Sequence, residues 1–206
     1  MTAKSEVEKI PNPPLMRKKF RTDEVYQMMK IGILPEESGW ELIDGEIIHR
    51  MTIGSRHASI VRRLEKYLER NFGEFVTVSG QNPIHVDEYN EPEPDIALLK
   101  PRDDFYAESH PRPSDVLLVI EISDSTLSYD REVKKEIYAE AGIDEFWLIN
   151  LKLNTVETYS NPSNGTYYQM RIFERGEIIQ AKNIAGMSLE VNKIFGEPTA
   201  ESEMEN

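Results

Sequence analysis

Apolar positions along the chain recur with two different periods. Between Arg56 and Phe72, the residues Ile60, Val61, Leu64, Tyr67, Leu68 and Phe72 return at helical spacing with charged side chains between them. That pattern predicts an amphipathic helix laid on a sheet. Elsewhere the apolar residues fall in short runs of strand length. Strands at about 40–43 and 46–51 flank Asp44-Gly45, a dipeptide that supplies the positive φ angles of a tight hairpin turn. Further strands are predicted at about 75–79, 82–86, 95–99 and 115–123. The nearly unbroken apolar run Val116–Ile122 has the character of a central strand covered on both faces. Near the start, Thr22 or Asp23 caps a short helix carrying Val25, Met28 and Met29 that ends near Gly32. A second long helix is expected from Asp130 to Ala141, stopped by Gly142 and followed at once by the strand Glu145–Asn150. The remainder, Thr155–Tyr159, Thr166–Phe173 and Glu177–Gln180 with turns at Asn164-Gly165 and Gly176, has the pattern of an antiparallel meander. The order of elements is that of a mixed α/β protein, a central sheet flanked by helices.

Three segments are expected: a flexible extension over 1–20, polar and bearing Pro11, Pro13 and Pro14; one domain over 21–195; and an acidic, disordered tail over 196–206. The 206 residues suffice for a substantial core. No apolar stretch approaches the ~20 residues that span a bilayer, and the start lacks the apolar core of a secretion signal. With no cysteine, a disulfide framework, a thiolate metal site and a cysteine nucleophile are excluded. A soluble, cytoplasmic protein is the expectation. The net charge of −13 weighs against a broad phosphate-gripping surface. Contact with nucleic acid would have to use a local patch, either Arg17, Lys18, Lys19 and Arg21 or Arg56, Arg62, Arg63, Lys66 and Arg70; both are equally readable as solvated faces.

One charge stands out because it lies inside an apolar strand. Glu121 falls within Val116–Ser123, and a buried carboxylate is costly unless it is paired or binds a cation. Strand alternation places Leu117, Val119, Glu121 and Ser123 on one face and Val116, Leu118, Ile120 and Ile122 on the other. If the strand that opens with Asp95 lies alongside, the two carboxylates meet. At roughly 4 Å they would repel by about 4 kcal/mol at an effective dielectric near 20, so one takes up a proton or a cation sits between them. Oxygen ligands with open positions suit Mg²⁺ or Mn²⁺. On the following helix, Asp130, Lys134 and Tyr138 form one stripe. Lys134 turns toward the carboxylates, belongs to a solvated face with Lys135, or pairs with Asp130.

The ordered series Glu41-Leu42-Ile43-Asp44-Gly45-Glu46, Pro94-Asp95-Ile96 and Glu121-Ile122-Ser123-Asp124-Ser125-Thr126 continues with Asp130-x-x-x-Lys134-x-x-x-Tyr138 and Ala141-Gly142-Ile143-Asp144-Glu145-Phe146-Trp147-Leu148-Ile149. It resembles the Uma-two-type endonucleases, formerly a domain of unknown function, in the PD-(D/E)XK restriction-endonuclease-like superfamily. The resemblance spans roughly residues 20 to 195. It implies a restriction-endonuclease-like core and a nuclease using Mg²⁺ or Mn²⁺, with Asp95 and Glu121 as metal ligands and nucleic acid, DNA foremost, as substrate. It implies further that Lys134 replaces the lysine that the superfamily pattern carries two residues after the glutamate, where this chain has Ser123. Glu46 matches the family's Asp-Gly-Glu and is a candidate third carboxylate. His57, Gln81, Ser123 and Tyr138 are candidates for supporting positions, and a homodimer is expected by analogy. Glu41 reads as structural. Two rival readings stay open: a nuclease-like scaffold serving as a binding or assembly module without catalysis, and a phosphoesterase acting on small nucleotides.

Overall fold

The computed structural model describes residues 17–35, 39–49 and 54–196. The expected tail beyond 196, most of the N-terminal extension, and the last two residues of the predicted strand at 46–51 lie outside the described residues. The elements run α1 (Thr22–Lys30), β1 (Trp40–Ile43), β2 (Glu46–His49), α2 (Ser55–Phe72), β3 (Thr77–Gly80), β4 (Ile96–Leu99) and β5 (Val116–Ser123). They continue with α3 (Leu127–Tyr129), a π-helical segment (Asp130–Lys134), α4 (Lys135–Glu140), β6 (Glu145–Asn150), β7 (Thr155–Ser163) and β8 (Thr166–Phe173). Last come β9 (Ile178–Gln180), β10 (Ser188–Glu190) and α5 (Val191–Phe195).

A six-stranded sheet in the order β3-β4-β5-β6-β7-β8 forms the centre. All its pairings are antiparallel except β5 with β6, which run parallel. A parallel step needs a crossover, and the helical stretch from Leu127 to Glu140 provides it. Its residues Tyr138 and Ala139 pack with Ala97, Val119, Phe146 and Leu148 on one face of the sheet. The other face is mainly apolar, with the buried Glu145 carboxyl accepting the Trp147 Nε1–H and the Lys182 N–H at 2.7 Å each. There Ile60, Val61, Leu64 and Leu68 of α2, with Leu189, Val191 and Ile194 from the C-terminal elements, cover Leu98, Leu118, Ile120, Ile122 and Trp147. The helical periodicity of α2 therefore becomes one buried stripe, its charged residues facing out.

The apolar strands are paired on both edges within the sheet, as the run at 116–122 predicts. Strict alternation fails at its beginning. Ile96, Ala97 and Leu98 pair with Ile120, Val119 and Leu118, but Leu99 pairs with Val116 across a bulge. The extra residue reverses the phase: Val116 joins Val119 on the crossover-helix side, and Leu117 packs against the opposite core. A bulge is the one device that changes which face a side chain takes without ending a strand.

The strand predicted at 82–86 does not form. Gln81 has a φ of 51° and Pro83 has no N–H to give a ladder. The N–H groups of Ile84, His85 and Val86 bond instead to the carbonyls of Pro92, Pro111 and Asn90 at 2.9, 2.9 and 3.1 Å. In the C-terminal part, β7 and β8 form the expected antiparallel hairpin, turning at Asn164 and Gly165, whose φ angles are 51° and 72°. The next strand, β9, pairs antiparallel with β10 in a ribbon of its own. Among the described residues, no helix is long and apolar enough to cross a membrane.

Candidate active site

Asp95 immediately precedes β4, and Glu121 is the third residue from the end of β5. Extending the Ile96–Ile120 pairing by one step sets the two side by side, and the Asp95 N–H lies 3.4 Å from Glu121 Oε2. Asp95 Oδ2 accepts the Ile122 N–H at 2.8 Å and lies 3.0 Å from His57 Nε2. Glu121 Oε1 accepts the Tyr138 hydroxyl at 2.8 Å and the Lys134 ammonium at 3.1 Å. Lys134 also donates to Glu41 Oε1 at 2.9 Å, and that oxygen takes the Glu93 N–H at 3.2 Å. Glu41, Asp95, Glu121, Asp130 and Lys134 are all buried.

The π-helical segment decides which helix residues enter this cluster. Asp130 and Lys134 are its two buried members. Asp130 Oδ2 accepts hydroxyls from Ser123 at 2.6 Å and Thr126 at 2.7 Å, tying the helix to the end of β5. One turn later Lys134 reaches inward. Of the three dispositions the sequence leaves open for Lys134, the structure shows the buried one, paired to Glu41 and Glu121. Widened π turns are enriched at functional sites.

Electrostatics here are dominated by burial. It pushes the Glu121 carboxyl up to about 8, against the pull of Lys134 and with further push from Asp130, Asp95 and Glu41. Burial works against the Lys134 ammonium, but Glu121, Glu41 and Asp130 together outweigh it and hold the group well above the ordinary lysine range. Burial and the neighbouring Glu121 raise the Tyr138 hydroxyl, which therefore stays a proton donor. Four carboxylates share the cluster with one ammonium.

Asp95 and Glu121 present hard oxygen donors from two adjacent strands. Among the described residues no group of three or more His, Cys, Asp or Glu side chains is arranged to hold a metal ion. The pair suits Mg²⁺, which is commonly held by one or two carboxylates, with water and substrate phosphate completing the shell, and does not suit an ion needing a full protein cage.

The remaining candidates are placed as follows. His57, at the start of α2, touches Asp95, and its Nδ1 is buried without a hydrogen-bond partner among the described residues. Ser123 reaches the cluster through Asp130. Gln81 is exposed, and its N–H lies 3.1 Å from the Asp95 carbonyl. Glu46 is not brought into the cluster: its side chain is 62% exposed, beside Arg17. Glu41, read from the sequence as structural, is the carboxylate that completes the Lys134 pairing. The signal for it was the one that singled out Glu121, a charge inside an apolar strand. Of the two basic patches, the N-terminal one is neutralised locally: Arg17, Lys18, Lys19 and Arg21 pair with Glu46, Glu24, Asp44 and Asp23. Arg62, Arg63, Lys66 and Arg70 on α2 remain exposed.

A bulged antiparallel strand pair, a parallel crossover, two strand-borne carboxylates and a helix-borne lysine together define a restriction-endonuclease-like fold. Residues 22–192 match the Uma2 family, described as "Putative restriction endonuclease", and the chain belongs to that family. Among solved structures, the fold is similar to that of a "putative nuclease belonging to DUF820" from Anabaena variabilis. The TM-score is 0.64 at 19% identity, covering 84% of this chain and 96% of that one. No curated protein matches the chain.

Proposed function

We propose that this protein is a nuclease that hydrolyses phosphodiester bonds of nucleic acid, DNA foremost, with the help of Mg²⁺ or Mn²⁺. The observation that carries the reading is the meeting of buried Asp95 and Glu121 across neighbouring strands, with Lys134 against Glu121. Asp95 and Glu121 would hold the ion, which supplies Lewis acidity toward a phosphoryl oxygen and a lowered pKa for bound water. His57 and the Ile122 N–H fix the orientation of Asp95. Tyr138 and Lys134 fix that of Glu121. An ammonium carries three N–H donors; two serve Glu41 and Glu121, leaving a third for charge that develops on the phosphoryl group. Glu41 acts on Lys134 rather than on substrate. A homodimer would set two such sites on the two strands of a duplex.

Calorimetric titration of Mn²⁺ into the wild type and Glu121→Ala tests the reading. Binding that is lost in a folded Glu121→Ala, together with Mn²⁺-dependent cleavage of DNA by the wild type, is the expected result. Full Mn²⁺ affinity in the mutant would sink the assignment. The alternative, a nuclease-like binding module without catalysis, draws on one observation: Lys134 already satisfies both Glu41 and Glu121 inside the protein. Mn²⁺ binding without cleavage of any nucleic acid would favour it. Cleavage confined to small nucleotides would favour a phosphoesterase instead.

A further inference from the structure

A second constellation lies in the segment that leads to Asp95. A cavity of about 390 Å³ is lined by Tyr26, His85, Glu91, His110 and Arg112 among others. Glu91 organises it. One carboxylate oxygen accepts the Tyr26 hydroxyl, and the other lies 2.8 Å from His85 Nδ1. A carboxylate at Nδ1 holds the proton there and leaves Nε2 as the ring's remaining hydrogen-bonding atom, an acceptor in the neutral imidazole. The rings of Tyr26 and His110 lie nearly parallel, 13° apart in plane with centroids 6.4 Å apart. Arg112 makes no ion pair among the described residues. The cavity thus combines flat ring faces, an imidazole acceptor and a guanidinium donor, with Glu91 and Glu108 also in its lining.

The backbone connects this cavity to the carboxylate cluster. Glu91 pairs with Leu42 of β1 in both directions, at 2.8 and 3.3 Å, and the Glu93 N–H meets Glu41. Asp95 follows Glu91 by four residues, which extended chain spans in at most about 14 Å. A strand of nucleic acid running from the carboxylates to the cavity would need only a few nucleotides to span that distance.

We propose that the cavity captures a nucleobase of the bound strand. The base stacks on Tyr26 and His110, with Arg112 and His85 meeting the acceptors and donors of its edge. The inference rests on the nucleic-acid reading above and adds the means of holding the substrate. Stacking suits a chain of net charge −13, because it needs no array of phosphate contacts and tolerates any base sequence. The choice of ligand follows from the flat, parallel rings, which a sugar or an extended peptide would not use in full.

The test uses a short single-stranded DNA carrying 2-aminopurine, titrated with full-length protein in EDTA so that no cleavage occurs. Wild type is expected to quench the fluorescence on binding, and to keep doing so when salt is raised. His110→Ala removes an exposed ring and should weaken binding about tenfold or more, in the range found for lost base–aromatic contacts. Arg112→Ala should weaken it less. An unchanged melting curve for His110→Ala keeps the comparison valid. Two results would overturn the proposal: no quenching at saturating protein, or equal quenching and affinity in His110→Ala. Failure of the nuclease reading shows instead as absent Mn²⁺ binding and absent cleavage with quenching intact.

Discussion

The two faces of the central sheet are built from the same strands and follow opposite rules. On the α2 side, Leu118, Ile120 and Ile122 of β5 lie in an apolar cluster with α2 and the C-terminal elements. On the crossover-helix side, the same strand offers Val119, then Glu121, then Ser123, against a helix that brings Asp130, Lys134 and Tyr138. Stability explains the first face. It does not explain the second, because a buried ion pair typically contributes no more than apolar side chains of the same volume, while breaking one by removing a single partner is strongly destabilising. The crossover-helix face carries charges held in place by one another, and the proposed chemistry supplies a reason for keeping them.

Cutting one member from the charged face should have the largest effect. Lys134→Met removes the ammonium that Glu41 and Glu121 share inside the protein and should cost about 3–5 kcal/mol near neutral pH, read from urea unfolding. A cost below about 1 kcal/mol would show that the carboxylates shed their charge freely and that the two faces are less different than the geometry says. Ile120→Ala on the apolar face should cost about 2–5 kcal/mol but leave Mn²⁺ affinity unchanged once the protein is folded. Altered affinity would mean that the faces are coupled through β5.

The pH dependence separates the faces as well. Burial raises Glu121 in the folded protein from the ordinary value of 4.5 to about 8, so the native state holds a proton that the unfolded chain releases. That stability is fully present below about pH 4.5 and is lost as pH rises toward and through about 8. In metal-free protein, unfolding free energy should therefore fall across this window, and Glu121→Gln should flatten the decline. An equal slope in the mutant would move the cause elsewhere; the raised carboxyls of Glu65 and Glu145 act in the same direction. The smallest effect expected is that of Tyr138→Phe. It removes one hydroxyl from Glu121 and should cost about 1–2 kcal/mol, with Mn²⁺ affinity shifted rather than abolished. Complete loss of Mn²⁺ binding would make Tyr138 more than an orienting donor.

The sequence disclosed most where a signal is local and repeated. The stripe of α2, the Asp44-Gly45 and Asn164-Gly165 turns and the apolar run of β5 each arise within a few neighbouring residues, and the fold contains all of them. It disclosed less where one residue reverses a pattern. The bulge opposite Leu99 exchanges the faces of Val116 and Leu117, and Gln81 with Pro83 turns an apparent strand into a loop. Neither event changes the composition of the segment, so periodicity does not register it.

The same division runs through the candidate site. Glu121 and Asp95 were readable from the chain alone, because a charge beside or within an apolar strand demands a partner wherever the strand goes. That Glu41 joins them, that Glu46 stays at the surface, and that Lys134 turns inward while Asp130 secures its helix were decided by tertiary structure. Burial makes a carboxylate conspicuous in sequence. Which cation answers it depends on strand register and on the pitch of one helical turn, and these are set only when the sheet and its crossover pack together.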